Sequence, residues 1–221
     1  MGRYLLIGAG FSRNWGGPLS EEITGSLLGE LHDDLEIANA LRRGPFEDAF
    51  QGFQPPTAAH PASAKLIRFQ NAVSGLFSRL NRSFLTKTFE FNDDLAFSVK
   101  GFLAKFDAIF SLNQDLLLEI HYFPTTLIPQ GRWSGVVLPG MTQVPPAVQA
   151  GPFDLTMCTW VSSSNVTAGA GAGVQPFYKL HGSSNWLVES GERLLIMAMG
   201  RQGPSDGFLS SATIVISSSR G

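Results

Sequence analysis

An apolar tetrad near the start of the chain, Tyr4-Leu5-Leu6-Ile7, runs directly into Gly8-Ala9-Gly10-Phe11-Ser12. No other feature constrains the fold as much, because a strand that ends in a Gly-x-Gly loop and re-enters a helix opens an α/β unit. Glycine has no Cβ, so its backbone adopts positive φ and approaches a ligand closely. Two glycines after a buried strand can therefore turn N–H groups toward a pyrophosphate. The helix that follows is expected to add its N-terminal partial charge. The third glycine of the full dinucleotide fingerprint is missing, with Arg13 and Asn14 near its place. Taken alone, the junction also reads as a tight turn after a strand.

Length and charge narrow the partners. With 221 residues the chain suffices for one α/β domain with its own core and is short for two. The 16 basic and 18 acidic residues leave a net charge of −2 and a pI near 6.1. That balance supplies no basic field, so neither direct nucleic-acid binding nor a membrane surface is expected. Between Met1-Gly2-Arg3 and the glycines lie too few apolar residues for a signal-peptide core, and no later apolar run is long enough to span a bilayer. Met1-Gly2 also lacks the Ser or Thr of a myristoylation signal. Cys158 is the single cysteine, which excludes an intrachain disulfide or a Cys-x-x-Cys zinc ribbon and fits a reducing cytoplasm. His32, His60, His121 and His181 lack the i, i+4 spacing of a helical metal site, so no structural metal is expected.

Apolar periodicity organises the rest. Ile23, Leu27, Leu28, Leu31 and Leu35 fall at helical spacing behind the acidic first turn Ser20-Glu21-Glu22, predicting one helix that stops by Gly44-Pro45. A stronger stripe, Leu66, Phe69, Val73, Leu76, Phe77, Leu80 and Phe84, predicts a long amphipathic helix whose apolar face meets the core. Residues 52–61 read as a Pro-rich connection between them. Residues 93–105 read as a further helix through Leu95, Val99, Phe102 and Leu103. Ala108-Ile109-Phe110-Ser111-Leu112 then reads as a buried strand, ending at Asn113-Gln114-Asp115 before a short apolar helix from Leu116. Strand, helices, strand and helix in that order predict a parallel sheet with crossovers.

Residues 124–176 differ: they are rich in Pro, Gly, Ser and Thr, with Arg132 and Asp154 as their charged residues. They read as a loop-rich excursion, most flexible at residues 168–173, serving either as a lid over a pocket or as a surface insertion. Phe177-Tyr178-Lys179-Leu180 predicts a strand running into His181-Gly182-Ser183-Ser184-Asn185. Trp186-Leu187-Val188 and Leu194-Leu195-Ile196-Met197 predict a β-hairpin.

Three groups thus share one position: residues 8–12, residues 113–115 and His181 each follow a predicted strand. In an open parallel sheet ligands bind at the carboxyl ends of strands, so these groups can converge across long sequence distances. Separately, Asn113 and Asp115 also read as cap or turn residues, and His181 as a structural histidine.

In that order the three segments, Gly8-Ala9-Gly10-Phe11-Ser12 with Gly16-Gly17-Pro18, Ser111-Leu112-Asn113-Gln114-Asp115, and Lys179-Leu180-His181-Gly182-Ser183, resemble the SIR2-like domain of bacterial antiphage defence proteins. The resemblance spans residues 3–197. It implies a Rossmann-like parallel sheet with flanking helices and a helical insertion, and cleavage of NAD⁺ at the nicotinamide–ribose bond. It also implies a sensor or partner protein of Argonaute, HerA or repeat type, and a homo-oligomer in the intact parent. By the same resemblance, Gly8, Ala9, Gly10, Phe11 and Ser12 hold the NAD⁺ pyrophosphate and the adjoining ribose. Asn113 orients the attacking water or the nicotinamide ribose, Asp115 is its neighbouring acid, and His181 is the catalytic histidine. Leu112 and Gln114 replace the family's usual Thr and Tyr. The four zinc cysteines of protein-deacylating sirtuins are missing, which favours hydrolysis without zinc over NAD⁺-dependent deacylation. A binding module that holds NAD⁺ or ADP-ribose without cleaving it is the alternative from another class.

Residues 198–221 depart from the resemblance. A SIR2-like domain is expected to continue with a Gly-rich, Lys-containing turn and further strands, whereas this segment is Ser-rich and ends Ser217-Ser218-Ser219-Arg220-Gly221. The expectation is a domain at residues 1–197 followed by a tail read out of frame, or else a natural short variant or an incomplete fragment, with an incomplete sheet, poor solubility and little activity of its own.

Overall fold

The computed structural model describes residues 2–55, 62–91, 98–123, 132–143, 159–162, 173–187, 193–196 and 213–216. Their architecture is α/β, with a parallel four-stranded sheet flanked by helices. Strands β1 (Tyr4–Ile7), β2 (Ala108–Ser111), β3 (Gly135–Val137) and β6 (Val174–Lys179) lie in the order β1-β2-β6-β3. All three pairings are parallel. The register sets Ile7 opposite Ser111 and Ser111 opposite Lys179, so the carboxyl ends of β1, β2 and β6 form one row.

Side-chain alternation explains which face of this sheet packs. Ile7, Ile109 and Phe177 point into a core completed by Trp15, Phe84, Leu103, Leu117 and Tyr122. Tyr4 and Leu6, on the opposite face of β1, remain 67 % and 62 % exposed, which corrects the expectation of a buried strand here. Phe110 and Tyr178, neighbours across β2 and β6, stack with ring centroids 5.0 Å apart on that same open face.

Between β1 and β2 the chain builds a helical unit around a second core. The single helix expected to end by Gly44-Pro45 is two: α2 (Ser20–Glu30) and α3 (Leu35–Arg43). The break arises at Asp34, whose carboxylate accepts the N–H groups of Glu36 and Ile37 and so starts a new helix. A short α4 (Phe46–Gly52) follows Pro45 and buries Phe46 and Phe50, although no separate helix was expected there. The long stripe forms α5 (Ala64–Phe84), capped by the Ser63 hydroxyl. Leu66, Phe69, Val73 and Phe77 of α5 pack against Leu27, Ile37, Leu41 and Phe50. Each such side chain, fully buried, contributes roughly 1.5–3 kcal/mol of hydrophobic free energy. Leu80 packs against both cores and Phe84 belongs to the sheet core, so α5 joins the two.

Of the helix expected at residues 93–105, α6 (Val99–Leu103) is observed, while residues 92–97 lie outside the described residues. The carboxylate of Glu90 accepts the N–H groups of Val99 and Lys100 at its start. The short helix after β2 is α7 (Leu117–His121).

Residues 124–176 are not uniformly loop. They contain β3, β4 (Met141–Gln143), β5 (Trp160–Ser162) and the first residues of β6. Short Val- and Thr-bearing runs, Gly135-Val136-Val137 and Met141-Thr142-Gln143, escape periodicity analysis because they span at most one alternation. The most Gly-rich stretch, residues 168–172, lies outside the described residues. A second sheet has the order β4-β5-β7-β8-β9, with β7 (Trp186–Leu187), β8 (Arg193–Ile196) and β9 (Thr213–Ile216). The expected hairpin is present as the antiparallel pair β7 and β8. Strand β9 pairs antiparallel with β8 over four residue pairs, so part of the segment 198–221 continues this sheet.

Candidate functional site

The row of strand ends carries the site. Beyond Ile7 the chain turns at once into α1 (Ala9–Ser12), closed by the Phe11 N–H on the Gly8 carbonyl at 2.8 Å. A 3-10 turn follows at Arg13–Trp15. Because α1 has only four residues, the helix-terminal charge expected at residues 8–12 is small. Nor do Gly8 and Gly10 supply positive φ: Gly8 is extended at φ −136°, and the left-handed glycine of this segment is Gly16 at φ +88°. What the two glycines leave is space. A Cβ on Gly10 meets nothing within 4 Å, and one on Gly8 meets only the Leu112 side chain at that limit.

Close approach is required instead at Gly17. Its N–H donates to the Ser12 carbonyl at 2.9 Å, and a Cβ there lies 2.6 Å from Ser12 Cβ and 2.9 Å from its carbonyl. Gly17 thus lets residues 16–17 fold back under Ser12 and press it toward β2.

Ser12 is buried and meets the end of β2 through two hydrogen bonds. Its hydroxyl donates to Asp115 Oδ2 at 2.8 Å, and it accepts the Asn113 side-chain N–H at 2.8 Å. One hydroxyl has one proton, and a carboxylate only accepts, so the direction of both bonds is fixed. The Asn113 amide must face Ser12 with its NH₂ group, which turns Oδ1 to the opposite side. Among the described residues no donor reaches that oxygen. Asp115 spends its other oxygen, Oδ1, on the Leu117 N–H at 3.1 Å, an Asx turn that starts α7. The Ser111 hydroxyl accepts the Asn113 backbone N–H at 3.0 Å and completes the turn.

Beneath this trio sits a buried charge pair that sequence reasoning missed. Lys179 ends β6, and its ammonium pairs with Glu119 Oε1 of α7 at 2.5 Å, both side chains being 1 % exposed. The same ammonium donates to the Ser183 hydroxyl at 2.8 Å and to the Asp115 backbone carbonyl. Burial pushes the Glu119 carboxyl above its usual range, against the opposing pull of Lys179. Asn81 of α5, also buried, donates to the Ser184 hydroxyl and accepts the Leu116 N–H, both at 2.9 Å. A lysine inside an apolar strand and a polar residue in an amphipathic stripe were the available signals.

His181 lies in the turn after β6 and is half-buried. It joins the trio's loop through its backbone, whose carbonyl accepts the Gln114 side-chain N–H at 3.4 Å. The Ser184 N–H returns a bond to the Gln114 carbonyl at 3.0 Å. Among the described residues no hydrogen bond links the imidazole to Asn113 or Asp115. Desolvation holds the His181 pKa below the ordinary histidine value.

Ser12, Asn113, Asp115, Glu119, Lys179 and Phe11 line a common cavity with room for at most about one water molecule. The arrangement therefore brings Ser12, Asn113 and Asp115 into direct contact and sets His181 on the adjoining turn. Gly8, Ala9 and Gly10 form the lip in front, with Gly8 and Ala9 half-buried and Gly10 exposed. Among the described residues there is no group of three or more His, Cys, Asp or Glu side chains able to hold a metal ion. Nor is any of their helices long and apolar enough to cross a membrane. Neither a protein-family model nor a curated protein matches the chain in sequence.

Proposed function

We propose that this chain is a SIR2-like NAD⁺ hydrolase, releasing nicotinamide and ADP-ribose, and that it serves as the effector domain of an antiphage defence system in the cytoplasm. On this reading the four-stranded parallel sheet is Rossmann-like and α2 to α5 are its helical insertion. The observation that carries the proposal is the contact of Ser12 with both Asn113 and Asp115 across the adjoining carboxyl ends of parallel strands, where dinucleotides bind in open α/β sheets.

The chemistry asks little of the protein beyond placement. When the bond from ribose C1′ to nicotinamide breaks, its electron pair neutralises the pyridinium nitrogen. Water then bonds to C1′ and gives up a proton. An enzyme for this step must orient the ribose, tolerate an oxocarbenium-like centre and position water. Asn113 Oδ1, turned away from Ser12, is an acceptor for a ribose hydroxyl or for that water. His181, held neutral by its low pKa, is a base for the proton. The open space at Gly8 and Gly10 admits a pyrophosphate close to the backbone. A sensor protein that switches the domain on, and assembly with further copies, complete the reading.

A second reading, a module that holds NAD⁺ or ADP-ribose without cleaving it, is favoured by the lack, among the described residues, of a hydrogen bond from the His181 imidazole to the Asn113 trio. One assay divides the two. NAD⁺ is incubated with the purified chain, alone and with its genomic neighbour's product, and free nicotinamide is followed by chromatography. Hydrolysis requires nicotinamide release that Asn113→Ala and His181→Ala abolish while calorimetry still records NAD⁺ binding. Binding without release under every condition assigns the module instead.

A further inference from the structure

The ammonium of Lys179 has three protons and three acceptors: Glu119 Oε1, Ser183 Oγ and the Asp115 carbonyl. With every proton committed and the side chain sealed from solvent, it is not a nucleophile. It touches instead three structural pieces of the site. Asp115 belongs to the loop after β2, Ser183 to the turn after β6 that carries His181, and Glu119 to α7. A buried ion pair is a poor source of stability, because desolvation of both ions offsets their attraction, and packed apolar residues of similar volume do as well or better. Its distinctive contribution is directional, since the ammonium fixes three oxygens at once where methyl groups fix none.

We infer that Lys179 is a positioning residue whose buried ammonium, anchored by Glu119, holds the Asn113–Asp115 loop and the His181 turn in register with each other. The consequence for turnover rests on the NAD⁺-cleavage reading. The consequence for Asn113 geometry does not.

The test replaces both charges together. Glu119→Leu with Lys179→Met keeps the volume and leaves no unpaired buried ion. In the folded double variant, NAD⁺ turnover should fall about 100-fold in kcat, the scale of a misplaced reacting group, while the NAD⁺ dissociation constant stays within about threefold. Independently, the Asn113 side-chain amide, observed by NMR of ¹⁵N-Asn-labelled protein, should shift and lose at least about tenfold in protection from hydrogen exchange, as expected for a broken buried hydrogen bond. A folded double variant with parental kcat and parental Asn113 protection overturns the inference. If the parent cleaves no NAD⁺, the hydrolase reading falls, and the Asn113 resonance still decides the role of Lys179. Should the double variant not fold, Ser183→Ala cuts the Lys179 link to the β6 turn, together with the long 3.5 Å bond from the Ser183 hydroxyl to Glu119 Oε1, and keeps both charges. A lower kcat with altered Asn113 or His181 resonances supports the inference there. Unchanged resonances overturn it.

Discussion

The hydroxyl of Ser12 and the side-chain amide of Asn113, 101 positions apart in the chain, meet at 2.8 Å inside the protein. Asp115 receives the one proton of Ser12 and thereby dictates which end of the Asn113 amide faces it. The orientation of the Asn113 carbonyl oxygen is thus set by Ser12 of α1 together with Asp115 of its own loop. This coupling makes the candidate site sensitive to changes that remove no group from the lip itself.

Asp115→Asn tests that direction. A carboxamide at position 115 can donate to Ser12, so the Ser12 proton becomes free to turn toward Asn113, and the Asn113 amide can flip. Nicotinamide release, where the parent shows it, should fall by at least about tenfold, with NAD⁺ binding retained. Ser12→Ala removes both bonds and leaves a buried amide proton unpaired, so unfolding free energy in urea should drop by about 1–3 kcal/mol. Parental stability in Ser12→Ala contradicts the hydrogen-bond assignment.

Gly17 and Gly10 separate fold from ligand. Gly17→Ala forces a methyl into Ser12, and overpacking of this kind destabilises by about 1–3 kcal/mol. Gly10→Ala meets open space and sits in a helical turn, so its stability should remain within about 0.5 kcal/mol of the parent. If the lip lies against a pyrophosphate, the same methyl should weaken NAD⁺ binding in calorimetry. Equal affinity in parent and Gly10→Ala removes residues 8–12 from the binding surface.

Much of this layout was legible because the strand ends fall within one residue of abrupt changes in residue chemistry. Ile7 gives way to Gly8, Leu112 to Asn113 and Leu180 to His181, and period-two or period-3.6 patterns stop at those points. The contacts across the ends were not legible. Whether Ser12 reaches Asn113 depends on strand order and on Gly17 tucking under Ser12, neither of which leaves a local pattern. Lys179 was placed only as part of a strand, since periodicity cannot tell a buried ion from a solvated one. The break at Asp34 was present as a cap residue but overridden by an apolar spacing that continues through it. Strands β3, β4 and β5 are held by pairing partners rather than by their own propensity.

Glu47 of α4 offers a stability test remote from the site. Its Oε2 is buried with no hydrogen-bond partner among the described residues, and desolvation raises its pKa above the model-peptide value of 4.5. A raised carboxyl pKa means that the folded state holds its proton longer than the unfolded chain. Stability from this group is present below pH 4.5 and lost as pH rises through the folded value. Glu47→Gln should therefore unfold at higher urea concentration than the parent at pH 7, with the difference shrinking at pH 4. A variant no more stable than the parent at pH 7 refutes the account of Glu47.

For His181 the sign runs the other way. Desolvation lowers its pKa below 6.5, so above that pH both folded and unfolded chains carry a neutral ring and the group contributes no pH dependence. As pH falls below 6.5 the unfolded chain takes the proton first, and stability declines until the folded value is passed. His121, half-buried with Nε2 on the Phe84 carbonyl at 2.7 Å, is shifted in the same direction, chiefly by desolvation. The two are separated by measuring urea unfolding at pH 7.5 and 5.5 in His181→Gln and in His121→Gln. Each variant should lose part of the parental decline between those pH values. Turnover adds a readout that packing alone does not move. If neutral His181 takes the proton from water, kcat rises with pH through a value below 6.5 and is level above about pH 7. A residual rate in His181→Gln should lack that rise, and an unchanged profile in that variant excludes His181 as the base.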